Sequence, residues 1–159
     1  MGTGGDHPES RVLIVATLRR VDFGSRRGRD GGRSVMVIDD DPTLVRALVG
    51  VLKNAGMTVH SAGNSLQALD IMRRMRPDVA LVDVFMPHAS GYELCEKIRS
   101  TPGISEMFVI MMSGVPIERG GGRVCWDRVI GKPINPEQLL TMIDNAFRVA
   151  APDPTRLGR

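Results

Sequence analysis

At 159 residues the chain has the length of one domain with tails, and its apolar content of 42% is that of an ordinary globular protein able to bury a core. Its formal charge of +3 lies in residues 1–33, which hold seven Arg against four Asp and Glu, so the remainder is neutral. No apolar run approaches the roughly 18 residues of a membrane helix, and Asp6 and Glu9 ahead of a five-residue apolar run argue against a secretory signal.

Residues 1–33 read as a basic N-terminal extension: a Gly-rich head, a strand-like patch at Arg11–Val15, and a Gly/Arg segment, Gly24–Arg33, with almost nothing to bury. Such an arm could touch nucleic acid or acidic lipid, or be a solvated tail. The chain carries no helix-turn-helix or other reader of bases, so no nucleic-acid partner is expected.

From Ser34 the pattern becomes regular. Short apolar runs alternate with amphipathic stretches, which predicts βαβ units and a doubly wound parallel sheet over residues 34–150. The first strand is predicted at Val35–Asp39. Pro42 suits the first turn of the helix that follows, which places Leu44, Leu48, Val51, Leu52 and Ala55 on one face and stops at Gly56. A second strand, Thr58–Ser61, leads through Asn64 or Ser65 into a second helix with a stripe of Leu66, Leu69, Met72 and Met75 before Pro77.

The third strand is Val79–Asp83. A helix after Ser90-Gly91 turns Leu94, Cys95 and Ile98 to one side, and the unbroken apolar run Phe108–Met112 reads as a strand covered on both faces. Where another helix would complete the alternation stand Val115-Pro116-Ile117-Glu118-Arg119 and Gly120-Gly121-Gly122. Three glycines in a helix interior cost about 3 kcal/mol relative to Ala, so a loop or single turn is expected. A fifth strand falls near Arg128–Ile130. Asn135 and Pro136 then start a last helix striped by Leu139, Leu140, Ile143, Ala146 and Phe147. The tail, 151–159, contains Pro152 and Pro154 and should fray.

The chemistry-bearing residues fall at strand ends. Asp39, Asp40 and Asp41 follow the first strand, Asp83 ends the third, Ser113-Gly114 ends the fourth, and Lys132 follows the fifth. The carboxyl ends of the strands are where open parallel sheets bind ligands. Crowded carboxylates repel one another unless a cation joins them, and an oxygen-rich cluster suits a hard ion such as Mg²⁺. Asp41 alone reads as a helix cap. His60 and His88 have no partner at metal or nucleophile spacing. Cys95 and Cys125, also without metal-ligand spacing, read as buried thiols of a reducing cytoplasm.

Four strings in this order, Val37-Ile38-Asp39-Asp40-Asp41-Pro42, Leu81-Val82-Asp83-Val84-Phe85-Met86-Pro87, Met111-Met112-Ser113-Gly114 and Gly131-Lys132-Pro133, resemble the receiver domain of two-component response regulators, from Ser34 to about Ala150. The resemblance implies a flavodoxin-like five-stranded sheet of order 2-1-3-4-5 and a cis bond before Pro133. It implies Asp83 as phosphoacceptor, and Asp39, Asp40, Asp83 and the Phe85 carbonyl as ligands of Mg²⁺. Ser113 would bind a phosphoryl oxygen and Lys132 would pair with the phosphate.

The implied function is a stand-alone receiver, not an enzyme with turnover. Its donor would be a sensor histidine kinase or a histidine phosphotransfer protein, and its output an unidentified protein partner; a homodimer stays open. Two departures bear on output. Val129 stands where the family usually has Tyr or Phe, and the helix between strands four and five is degenerate. Trp126 could replace the missing ring or cap the core, the latter favoured. Phe85 and Val115, two past the acceptor and two past Ser113, cannot hydrogen-bond an attacking water, which implies slow self-dephosphorylation.

Two other readings are open. A receiver fold could serve as a binding module indifferent to phosphate. Alternatively, Asp39-x-Asp41-x-Thr43 is similar to the nucleophile motif of haloacid-dehalogenase-type phosphatases, with Asp39 attacking and Asp41 as general acid. Against this stand the lack of a cap domain and of paired acids after the fourth strand.

Overall fold

The computed structural model describes residues 33–117 and 124–150. The head, the Arg11–Val15 patch, nearly all of Gly24–Arg33, the three glycines at 120–122 and the tail from 151 lie outside the described residues. A five-stranded parallel sheet has the order β2-β1-β3-β4-β5, built from β1 (Ser34–Ile38), β2 (Thr58–Ala62), β3 (Val79–Asp83), β4 (Phe108–Ser113) and β5 (Arg128–Gly131). The helices are α1 (Pro42–Asn54), α2 (Ser65–Met75), α3 (Gly91–Ser100) and α4 (Pro136–Ala150). This is the doubly wound, flavodoxin-like arrangement expected. Between β4 and β5 the described residues hold no helix.

Alternation along the central strands sorts side chains to two cores. Val35, Val37, Val79, Leu81, Ile110 and Met112 pack with Leu48, Leu52, Leu139 and Ile143 of α1 and α4. Met36, Ile38, Ala80, Val82, Val109 and Met111 pack with Leu69, Met72, Leu94 and Ile98 of α2 and α3. Strands covered on both faces must be apolar throughout, which is why β1, β3 and β4 read as unbroken runs.

The helix starts follow local chemistry. Asp41 caps α1 by accepting from the Thr43 and Leu44 amides, with Pro42 at the first position. Asn64 caps α2 through the Gln67 amide, Ser90 caps α3 through the Glu93 amide, and the Asn135 side chain accepts from the Gln138 amide below α4. Gly56, at φ +83°, sits beyond the end of α1 in the left-handed region that glycine enters without strain.

Several expectations need correction. Leu66 and Met75 do not face the core; they are 76% and 54% exposed. The buried stripe of α2 is Ser65, Ala68, Leu69 and Met72, an i, i+3, i+4, i+7 spacing from the first helical residue that leaves Leu66 about 100° off the face. β1 ends at Ile38, so Asp39 lies just beyond the strand, while β2 and β4 each run one residue further than expected.

Candidate functional site

The parallel register brings the carboxyl ends of β1, β3, β4 and β5 to one edge. Asp39 and Asp40 follow β1, Asp83 closes β3, Ser113 closes β4 opposite Gly131, and Lys132 follows β5. Carboxylate oxygens of Asp39, Asp40 and Asp83 lie within 4.8 Å of one another. Asp39 and Asp83 are buried at 1% and 4% exposure, and Asp40 opens to solvent.

The Lys132 ammonium joins the two buried acids, 2.7 Å from Asp39 Oδ2 and 2.9 Å from Asp83 Oδ1. The other oxygen of Asp39 accepts from the Asp41 amide at 2.9 Å. The peptide bond before Pro133 is cis, as the resemblance implied.

The electrostatics follow from this crowding. Burial lifts the Asp83 carboxyl above its ordinary range, the hydrogen bond from Lys132 opposes it, the neighbouring Asp39 charge adds to it, and the Phe85 amide donates a weaker opposing bond. Burial disfavours the Lys132 ammonium, but hydrogen bonds to Asp39 and Asp83 outweigh it and hold its proton more tightly than usual. Three carboxylates facing one ammonium leave two negative charges in the pocket. A hard divalent cation with oxygen preference matches both that charge and the donor set.

The remaining candidates are placed as follows. Ser113 is buried at the same edge, but its hydroxyl donates to the Val115 carbonyl at 2.7 Å and accepts from the Val115 amide at 3.2 Å. Phe85 and Val115, two residues past Asp83 and Ser113, have exposed side chains, 64% and 53%. Asp41 is engaged in capping α1 and is not one of the three clustered acids. Cys95 and Cys125 are both buried and free.

Sequence reasoning missed Gly91. A Cβ there would overlap the Asp83 carbonyl oxygen, and the Gly91 amide donates to the Val84 carbonyl at 2.9 Å. The first turn of α3 is therefore seated directly on the backbone of Asp83. Only the bare Ser90-Gly91 pair hinted at this, and a pair of small residues before a helix has commoner meanings.

This fold and this pocket together define the receiver domain of two-component response regulators. The chain belongs to that family: the family model described as response regulator receiver domain matches residues 35–144. It is similar to protein PilG of Pseudomonas aeruginosa, 33% identical over 115 residues covering 70% of this chain and 85% of that protein. It also resembles the probable transcriptional regulatory protein TcrX of Mycobacterium tuberculosis, 31% identical over 116 residues, covering 72% of this chain and 50% of TcrX. The DNA-binding response regulator MtrA of Mycolicibacterium smegmatis is 27% identical over 131 residues, 77% of this chain and 54% of MtrA. The chain thus spans about half the length of these mycobacterial relatives.

Among solved structures, a response regulator from Chloroflexus aurantiacus superposes with a TM-score of 0.64 at 25% identity, covering 74% of this chain and 98% of that one. Chemotaxis protein CheY4 of Vibrio cholerae gives 0.64 at 24% identity, covering 72% and 98%, a likeness of fold. No described helix is long and apolar enough to cross a membrane.

Proposed function

We propose that this receiver accepts a phosphoryl group on Asp83 from a phosphohistidine, on a sensor histidine kinase or a histidine phosphotransfer protein, and signals by binding a protein partner. The observation that carries this reading is the Lys132 bridge between Asp39 and Asp83 beside the Asp40 carboxylate. Three acids and one base converge where open parallel sheets bind ligands, outside the carboxyl ends of the strands.

The acceptor oxygen of Asp83 attacks phosphorus in line. The P–N bond to the donor imidazole breaks as the Asp83 O–P bond forms, and the imidazole leaves with the bonding pair. Asp83 is buried yet adjoins open solvent through Asp40, so a donor side chain can reach it while the carboxylate stays poorly hydrated. Asp39, Asp40, Asp83 and the Phe85 carbonyl would hold Mg²⁺, which supplies charge neutralisation for the carboxylates and the incoming phosphoryl oxygens. Lys132, released from Asp83 once that group is esterified, pairs with the phosphoryl group as a point charge. Ser113 must give up its bond to Val115 to reach a phosphoryl oxygen.

The protein so described is a stoichiometric acceptor rather than an enzyme with turnover, working in a reducing cytoplasm where Cys95 and Cys125 stay free. Calorimetric titration with MgCl₂ tests the reading. Binding is expected for the wild-type chain, weakened at least about tenfold by Asp40→Asn, the scale of losing one charged oxygen ligand. Equal affinity in the two proteins would refute the ligand assignment.

A further inference from the structure

With Val129 in place of the family's usual aromatic ring, and no helix among the described residues between β4 and β5, the state of Asp83 needs another route to the surface. Helix α3 touches both ends of one. At its start, Gly91 packs on the Asp83 carbonyl with no room for a Cβ. In the same first turn, the Tyr92 ring lies 5.4 Å from that of Trp126, tilted by 56°. At its far end, Arg99 grips the approach to β5. It donates to the Cys125 carbonyl at 2.7 Å and to Asp127 Oδ2 at 2.8 Å, and to the Ser105 and Met107 carbonyls at 2.8 and 2.6 Å.

We propose that α3 relays the phosphorylation state of Asp83 to the segment Val124–Asp127, with Gly91 as the input contact and Arg99 as the positioning residue that holds the output end. This rests on Asp83 being the phosphoacceptor. Close-packed interiors transmit displacement rather than absorb it, and the Gly91 contact has no slack. A shift of the Asp83 backbone on esterification therefore moves the start of a rigid helix about 15 Å long.

The receiving end has a reason to rearrange. The indole N–H of Trp126 is buried without an acceptor among the described residues, so a rearrangement that supplies one would satisfy a buried donor. Beside it opens a cavity of about 650 Å³ lined in part by Glu96, Arg99, Cys125, Trp126 and Asp127. A change in this segment would therefore be read at the surface.

Trp126 is the one tryptophan of the chain, so its fluorescence reports on this segment alone. The experiment treats the full chain with Mg²⁺ and acetyl phosphate, whose acyl O–P bond breaks as acetate leaves and the Asp83 O–P bond forms. Labelling is followed by intact mass and Trp126 by emission. Emission is expected to change in proportion to labelling in the wild-type chain. In Arg99→Gln and Arg99→Ala, chosen so that one folded variant suffices, labelling should persist with less than half the emission change per phosphoryl group. Labelling without a Trp126 response, or a full response in both Arg99 variants, would overturn the relay while leaving the acceptor intact. No labelling of the wild-type chain would remove the acceptor and the relay together.

Discussion

The Lys132 ammonium stands 2.9 Å from Asp83 Oδ1, and the same nitrogen lies 2.7 Å from Asp39. One partly exposed lysine thus compensates two carboxylates that are almost completely buried. Everything proposed for this pocket depends on that balance.

Removing the lysine should therefore be severe. Lys132→Ala leaves two buried acids unpaired, and breaking a buried ion pair from one side costs about 3 kcal/mol or more. Urea unfolding without metal measures it. A loss below about 0.5 kcal/mol would mean that the bridge is solvated in solution, as exposed pairs are.

The shifts give stability a definite pH dependence. Asp83 binds its proton more tightly folded than unfolded, so its favourable contribution is present below the ordinary value of 3.8 and is lost as pH rises through the folded value. Asp83→Asn should accordingly stabilise the metal-free domain at neutral pH, with the gain shrinking toward pH 4. Lys132 is also raised, from an ordinary 10.5, so its contribution holds below that value and is lost at more alkaline pH. Melting curves of both proteins from pH 4 to 11 check both signs. A destabilised Asp83→Asn at pH 7 would contradict the dominance of burial at this carboxylate.

Gly91→Ala should destabilise the domain by about 1–3 kcal/mol, the range for overpacking. It should also weaken Mg²⁺ binding, because the displaced backbone is the one that carries the Asp83 carboxylate. Gly50→Ala, on the exposed face of α1 with open space around it, serves as the control and should be neutral or slightly stabilising. Equal behaviour of the two variants would show that α3 is not seated on the acceptor.

Much of this architecture was legible in the sequence. Apolar runs marked β1, β3 and β4 because both faces are covered, and the caps Asp41, Asn64, Ser90 and Asn135 are chemistry within three residues. The four receiver strings led to acids and a lysine that the fold brings together at one sheet edge. What stayed hidden depends on contacts between distant residues. The overlap of Gly91 with Asp83, the four bonds of Arg99 and the orphaned indole of Trp126 arise only when α3 and the approach to β5 are brought together. The outward turn of Leu66 was hidden for another reason: Ser65, a small polar residue, takes the buried start of the stripe.

Two apolar side chains bear on how long the signal lasts. Phe85 and Val115, two residues past Asp83 and Ser113, are exposed and offer no side-chain hydrogen bond to a water. Phosphorylated protein, freed of donor, should lose its label slowly. Phe85→Asn should hasten the loss on the order of tenfold, less than a full general base supplies. A wild-type half-life of seconds, or no acceleration in the variant, would count against control of the water by these two positions.

The most direct measurement is to treat the full chain with acetyl phosphate and Mg²⁺, reduce the product with borohydride, and locate the resulting homoserine by peptide mass spectrometry. Homoserine at position 83, absent when EDTA replaces Mg²⁺ and absent in Asp83→Asn, is the expected result. Modification mapped to Asp39, Asp40 or Asp41 instead, or labelling indifferent to EDTA, would contradict Asp83 as the acceptor in a cation-dependent pocket.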